Sequence, residues 1–162
     1  MSKYFSKAIK VIIWVPVIFM ACVIFGFSGQ NGDESQGLSY KAADIVLTIC
    51  DKAGIVDYND DNKEIMIENL QLPIRKAAHM TEYAVFAVLV YVALLTDGLK
   101  CRLTVFIAFG FAFIFACTDE IHQLFISGRS GRFTDVLIDS AGCIIGLFAA
   151  WIINKACRRR KI

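Results

Sequence analysis

Apolar residues in this chain collect in four long runs, near positions 8–27, 78–96, 103–118 and 136–154. Each run approaches the ~20 residues that an α-helix needs to cross the hydrocarbon core of a bilayer. Polar residues separate the runs, and only two prolines occur in the whole chain. The pattern predicts an all-α integral membrane protein, a bundle of four transmembrane helices at about 8–27, 75–96, 103–123 and 133–155.

The segment between the first and second runs, residues 28–72, has a different pattern. Within it, residues 38–53 and 63–72 place apolar side chains at helical spacing, Ala42, Ile45, Val46, Ile49 and Cys50 in the first and Ile65, Ile67 and Leu70 in the second. These spacings predict short amphipathic helices that lie on or partly within the outer leaflet and cover the bundle. Pro73 is expected in the first turn of the helix that follows.

Basic residues flank the runs in three groups, before the first run, between the second and third, and after the fourth: Lys3, Lys7 and Lys10; Lys100 and Arg102; Lys155, Arg158, Arg159, Arg160 and Lys161. The segment 28–72 is acidic instead. By the positive-inside rule, both termini are predicted to be cytoplasmic and residues 28–72 to lie outside. The run Arg158-Arg159-Arg160-Lys161 is also expected to anchor the chain on anionic lipid.

Composition agrees with this assignment to a membrane. The chain has 162 residues, of which 57 % are hydrophobic, and its net charge is only +2. That length predicts a single transmembrane domain over residues 1–162. Nothing in the charge pattern supports nucleic-acid binding. The partner that the sequence indicates is the lipid bilayer of the cell membrane, which the chain would cross several times.

Two polar motifs are fused to apolar runs, and together they hold both histidines of the chain: Arg75-Lys76-Ala77-Ala78-His79-Met80-Thr81-Glu82-Tyr83 and Asp119-Glu120-Ile121-His122-Gln123. A charged side chain at the centre of a bilayer helix costs about 2.5–3.5 kcal/mol on the insertion scale. Such residues must therefore be paired or hydrated near an interface. Charged residues inside a membrane segment mark a functional site by default.

The predicted topology brings these motifs to the outer end of the bundle. The turn between the third and fourth helices adds two guanidinium groups, which match phosphate or carboxylate with paired hydrogen bonds. The candidate catalytic residues are those able to act as acid, base or orienting carboxylate: His79, Glu82, Asp119 and His122. The candidate ligand-binding residues are the remaining polar groups at this end: Arg75, Lys76, Glu120, Gln123, Arg129, Arg132, Asp135 and Asp139.

These residues resemble the VanZ-like family in three motifs: Phe27-Ser28-Gly29-Gln30; Arg75-Lys76-x-x-His79-x-x-Glu82-Tyr83; and Asp119-Glu120-x-His122-Gln123-x-Phe125, followed by Arg129, Arg132, Asp135, Asp139 and Gly142. The similarity covers nearly the whole chain except the acidic outer segment. The resemblance implies a membrane protein associated with low-level resistance to the glycopeptide teicoplanin. It does not imply a defined reaction.

Three interpretations of the polar site stay open, and with them the question of whether the protein is an enzyme. The site could handle or modify an anionic, lipid-linked component of the envelope by acid–base chemistry. It could be a structural clamp, or bind a lipid or antibiotic without turnover, with ion pairs such as Arg132 to Asp119. It could also be a metal-dependent hydrolase with a divalent metal on His79, His122, Asp119 and Asp139. The nearby lysine and arginines would repel a cation.

The topology is testable by cysteine labelling in intact cells. In a variant whose six native cysteines are replaced by serine, a single cysteine introduced in residues 28–72 should react with a membrane-impermeant maleimide added from outside. A cysteine introduced at the C-terminus should react only after the membrane is opened, because the basic flanks keep that end inside. Labelling of the C-terminus from outside would contradict the topology and the outer position of the polar site.

Overall fold

The computed structural model describes residues 2–159, with side chains described for residues 9–59 and 62–157. That part of the chain contains no strand and consists of five helices: α1 Ser2–Ser28, α2 Gly32–Lys52, α3 Asp60–Thr96, α4 Cys101–Gln123 and α5 Phe133–Arg159. Helices α1, α3, α4 and α5 are long and apolar enough to cross a membrane. The predicted all-α fold with four membrane-spanning helices is confirmed. The predicted lipid anchor at residues 158–161 lies outside the described side chains.

Helix α2 is the amphipathic helix of the segment that joins the first two spans. It begins earlier than predicted, because Asn31 caps it. The Asn31 side chain accepts the backbone N–H of Glu34 at 2.8 Å, and the Glu34 carboxylate accepts the backbone N–H of Asn31 at 3.3 Å. Such a capping box satisfies backbone donors that the first helical turn leaves free. The inner face of α2 buries Ala43 and Leu47 against Ile67 of α3.

Residues 63–72 do not form a second separate helix, which corrects the prediction made from their spacing. They are the first part of α3, and Pro73 lies inside this helix instead of in its first turn. A proline in a helix interior removes one hydrogen bond and crowds the preceding turn. Burial of Ile67, with Leu70 and Ile74 packed against α2, stabilises the continuous helix. Tertiary packing therefore overrides the local signal of the proline.

Helix α3 is the centre of the bundle, because it packs against each of the other four helices. It buries Tyr83, Phe86 and Val90, and the Phe86 ring lies 4.8 Å from that of Phe115 in α4. Helix α4 turns three alanines to this core at four-residue spacing: Ala108, Ala112 and Ala116. The polar motifs are thus carried by helices whose positions are set by a tightly packed apolar core.

Glycines bring α5 into backbone contact with α3, as the spacing of Gly142 and Gly146 predicts. A Cβ atom at Gly142 would collide with the carbonyl oxygen of Met80, and one at Gly146 would lie 2.6 Å from the carbonyl oxygen of Ala84. Small residues allow helices in a membrane to approach this closely. The close contact holds the acidic start of α5 beside the Arg75–Glu82 region of α3.

Replacing Gly142 by alanine should therefore loosen the bundle. We expect Gly142→Ala to lower the free energy of unfolding by about 1–3 kcal/mol, the usual cost of overpacking. Thermal unfolding of purified protein in detergent measures the effect. Gly110→Ala is the matched control, since a Cβ atom there meets nothing within 4 Å. Equal unfolding midpoints for the two variants would contradict the close α3–α5 contact.

Candidate functional site

A polar cavity of about 210 Å³ lies where α3, α4, α5 and the α4–α5 loop meet. Its lining contains every candidate ligand-binding residue and one of the candidate catalytic residues: Leu72, Arg75, Lys76, His79, Glu120, Gln123, Gly128, Arg129, Ser130, Arg132, Asp135, Ile138 and Asp139. Residues that are distant in sequence are thus neighbours in one cavity. The candidate residues Glu82, Asp119 and His122 do not line it.

A second cavity of about 290 Å³ lies on the other side of Arg75, His79 and Arg129, which border both cavities. Its remaining lining comes from α1, the α1–α2 turn, α2 and α3: Phe27, Gln30, Ser35, Leu38, Ser39, Ala42, Ile74, Ala78 and Glu82. Sequence reasoning did not assign α2 to the site. A signal was present, since Ser35 and Ser39 lie one turn apart on the face of α2 that is otherwise apolar.

One ion pair and one histidine–carboxyl contact form at this end of the bundle. Lys76 Nζ lies 3.1 Å from Asp135 Oδ1, which joins α3 to the first turn of α5. His79 Nδ1 lies 3.8 Å from Glu82 Oε2, one turn further along α3. The pairing of Glu82 with His79 agrees with the expectation that charged groups at this depth are paired or hydrated. It also places Glu82 where it can orient the His79 ring.

Arg129 fixes the α4–α5 loop to the end of α1. Its Nε donates to the carbonyl of Gln30 at 3.1 Å, and its Nη2 donates to the carbonyl of Phe27 at 3.0 Å. Gly128 supports the same junction with a positive φ of 72°, which glycine adopts readily, and its backbone lies directly against Gly32. Burial, and the like charge of Arg75, lower the pKa of the Arg129 guanidinium from its usual value.

The guanidinium groups at the cavity are not neutralised by nearby carboxylates. Arg75 Nε donates only to Ser39 Oγ, at 3.4 Å. Among the described side chains, no carboxylate oxygen lies within 4.0 Å of a guanidinium nitrogen of Arg75, Arg129 or Arg132. The suggested ion pair of Arg132 with Asp119 is therefore wrong. The backbone N–H of Arg132 donates instead to Glu120 Oε2 at 2.8 Å.

Two buried aspartates have different surroundings. Asp119 is 0 % exposed and accepts a hydrogen bond from Gln123 Nε2 at 3.3 Å. Among the described residues, no hydrogen-bond partner lies within geometric range of its other oxygen, Oδ1, or of the buried hydroxyls of Ser28 and Tyr83. Asp139 is 2 % exposed and lines the polar cavity. Asp119 is thus enclosed by protein groups, whereas Asp139 can reach a ligand.

His122 lies apart from both cavities. Its ring centroid is 5.1 Å from that of Phe25, and a Cβ atom at Gly29 would lie 3.7 Å from its Cε1. Its Nδ1 is buried without a hydrogen-bond partner. The two histidines of the chain therefore occupy separate places, with His79 of α3 at the cavities and His122 of α4 packed against Phe25 of α1.

The residues suggested for a metal do not form a ligand shell in the described part of the chain. No group of three or more histidine, cysteine, aspartate or glutamate side chains there is arranged to hold a metal ion. His79 borders the cavities, Asp119 is enclosed and His122 packs on Phe25. The described geometry gives no support to a metal centre formed by His79, His122, Asp119 and Asp139.

Comparison with known proteins agrees with the motifs. The family model described as VanZ/LLP1 matches residues 13–154, which is most of the chain. The chain belongs to this family. No curated protein and no solved structure matches it individually. Membership in the VanZ/LLP1 family and the four apolar helices identify a multi-pass membrane protein.

The separate positions of the histidines predict different effects on stability. His122→Ala should lower the free energy of unfolding by about 1–2 kcal/mol, because it removes the ring contact with Phe25 and leaves a cavity. His79→Ala should cost less than about 1 kcal/mol, since it loses only a long, partly exposed ion pair. Thermal unfolding midpoints in detergent compare the two. A larger loss of stability for His79→Ala than for His122→Ala would contradict the assignment of His122 to the packing of the bundle and of His79 to the cavities.

Proposed function

We propose that this VanZ/LLP1 protein binds an anionic component of the cell envelope at its polar cavity. The observation that carries the proposal is the pair of guanidiniums of Arg75 and Arg129. Both border the two cavities, and neither has a carboxylate within 4.0 Å among the described side chains. Like charges in a partly buried place repel each other, and an anion between them would relieve the repulsion.

The size of the cavity favours a headgroup over an antibiotic. Pockets for drug-sized ligands measure roughly 300–1,000 Å³, whereas the polar cavity measures about 210 Å³. A phosphate or carboxylate headgroup is small enough to fit in this volume, but a glycopeptide is much too large. The proposed link to teicoplanin susceptibility is therefore indirect, and works through the envelope component that the antibiotic meets.

Charge placement favours the outer leaflet as the source of this component. Lys10, Lys100 and Lys155 lie at the ends of the spans opposite the polar cavity, where the positive-inside rule expects the cytoplasm. The cavity would then lie at the level of the outer headgroups. An anionic lipid or lipid-linked precursor reaches that level by diffusion within the membrane.

Binding without turnover fits the described cavity better than catalysis. Ser130 is the only hydroxyl group in the described lining, and it makes no hydrogen bond to His79. An activated nucleophile needs a base within hydrogen-bond distance. His79, oriented by Glu82, is the one candidate acid or base that borders both cavities, so any proton transfer to a ligand would involve this residue.

Removing the Arg75 charge tests the proposal. Arg75→Gln should weaken binding of a phospholipid such as phosphatidylglycerol about tenfold, the usual effect of losing one charge-assisted hydrogen bond. It should also reduce any teicoplanin resistance that expression of the wild-type protein confers on a susceptible host. Native mass spectrometry of protein in lipid nanodiscs measures the bound lipid.

Lys41→Gln is the matched control, because Lys41 is an exposed cation of α2 that lines neither cavity. This variant should bind lipid and behave in the host as the wild type does. If Arg75→Gln and Lys41→Gln bind phosphatidylglycerol equally well, the anion-binding proposal fails.

A further inference from the structure

We propose that the ligand is an amphiphile held across both cavities, an inference that rests on the proposed anion binding. Its phosphate would lie between Arg75 and Arg129, and its hydrocarbon tail would occupy the cavity beside α2. Its headgroup would carry an amine or hydroxyl that donates a hydrogen bond to Asp139. The ligand class is therefore a phosphodiester lipid whose headgroup contains a hydrogen-bond donor.

The shared wall of the two cavities determines where the phosphate lies. Arg75, His79 and Arg129 border both the polar cavity and the α2 cavity. An anion bound at these side chains has polar lining on one side and largely apolar lining on the other. A lipid has this same order, with a phosphate between a polar headgroup and a hydrocarbon tail.

The α2 cavity suits the hydrocarbon part. Apolar side chains from three helices contribute to its lining: Phe27, Leu38, Ala42, Ile74 and Ala78. Phe27 and Leu38 are each 45 % exposed, so the apolar lining extends to the surface of the protein. A hydrocarbon tail that enters from the membrane would meet apolar side chains first.

Asp139 indicates what the headgroup must contain. This carboxylate is 2 % exposed, lines the polar cavity, and has no hydrogen bond or ion pair with any described residue. Lys76, the lysine in the lining, is held by Asp135. A buried carboxyl group without a hydrogen-bond partner is costly. An amine or hydroxyl on the ligand would satisfy it, whereas a quaternary ammonium has no N–H to donate.

A lipid series separates these features in the full-length protein. Nanodiscs of phosphatidylcholine would be doped with phosphatidylglycerol, phosphatidylethanolamine or phosphatidylmethanol of identical acyl chains, and bound lipid quantified by native mass spectrometry. Phosphatidylglycerol and phosphatidylmethanol each carry one negative charge, but the headgroup of phosphatidylmethanol has no hydrogen-bond donor. We expect about tenfold weaker binding of phosphatidylmethanol than of the glycerol lipid. Phosphatidylethanolamine tests whether an amine serves as well as a hydroxyl.

Two variants locate the two halves of the ligand. Asp139→Leu should remove the preference for phosphatidylglycerol over phosphatidylmethanol, while binding of both stays sensitive to Arg75→Gln. Leu38→Gln should weaken binding of diacyl lipid but not of deacylated glycerophosphoglycerol, which has no tail. Ile45→Gln is its control, because Ile45 is 59 % exposed on α2 and lines neither cavity.

The outcomes distinguish this inference from the proposed function. Equal binding of the three lipids to the wild type overturns the role of Asp139, even if no Asp139 variant can be purified. Equal effects of Leu38→Gln and Ile45→Gln overturn the position of the tail. In both cases, retained sensitivity to Arg75→Gln would still support anion binding. Loss of that sensitivity would overturn the proposed function and this inference together.

Discussion

The cost of placing charged groups on helices that otherwise contact lipid is the constraint on which this structure depends. The bundle meets it by gathering those groups at one end and giving most of them a partner. Lys76 joins Asp135 across two helices, His79 meets Glu82 within one, and Arg129 bonds backbone carbonyls. The guanidiniums of Arg75 and Arg129 remain without a partner of opposite charge among the described side chains, although carboxyl groups occur at the same end of the bundle. Their unpaired charge therefore points to a ligand.

Packing and chemistry are coupled through the contact of α3 with α5. Gly142 allows the backbone of α5 to touch that of α3 at Met80. Asp139 lies one turn before this glycine, and His79 directly precedes Met80. The backbone contact between Gly142 and Met80 thus sets the position of Asp139 on α5 relative to the cavity residues of α3. A contact between two backbones leaves little freedom for either helix to shift.

Hydropathy and motif spacing were sufficient to predict the four spans and that the polar motifs meet at one end of the bundle, because both follow from local pattern and from which helix ends meet. Three features were not accessible in this way. Continuation of α3 through Pro73 depends on packing against α2, and the second cavity depends on where α2 lies. The packing of the His122 ring against Phe25 depends on how α1 and α4 cross. Each is a tertiary contact that sequence spacing does not encode.

The two carbonyl bonds of Arg129 restrict which side chain can occupy its position. A guanidinium carries several N–H donors in one rigid plane, so the edge that holds Phe27 and Gln30 leaves other donors directed elsewhere. A lysine ammonium concentrates its donors at a single flexible point, and it could not hold the end of α1 and meet a ligand in fixed geometry at once. Arg129 thus has two roles. Its planar guanidinium binds the carbonyl groups at the end of α1, and the same plane fixes the direction of its remaining N–H donors.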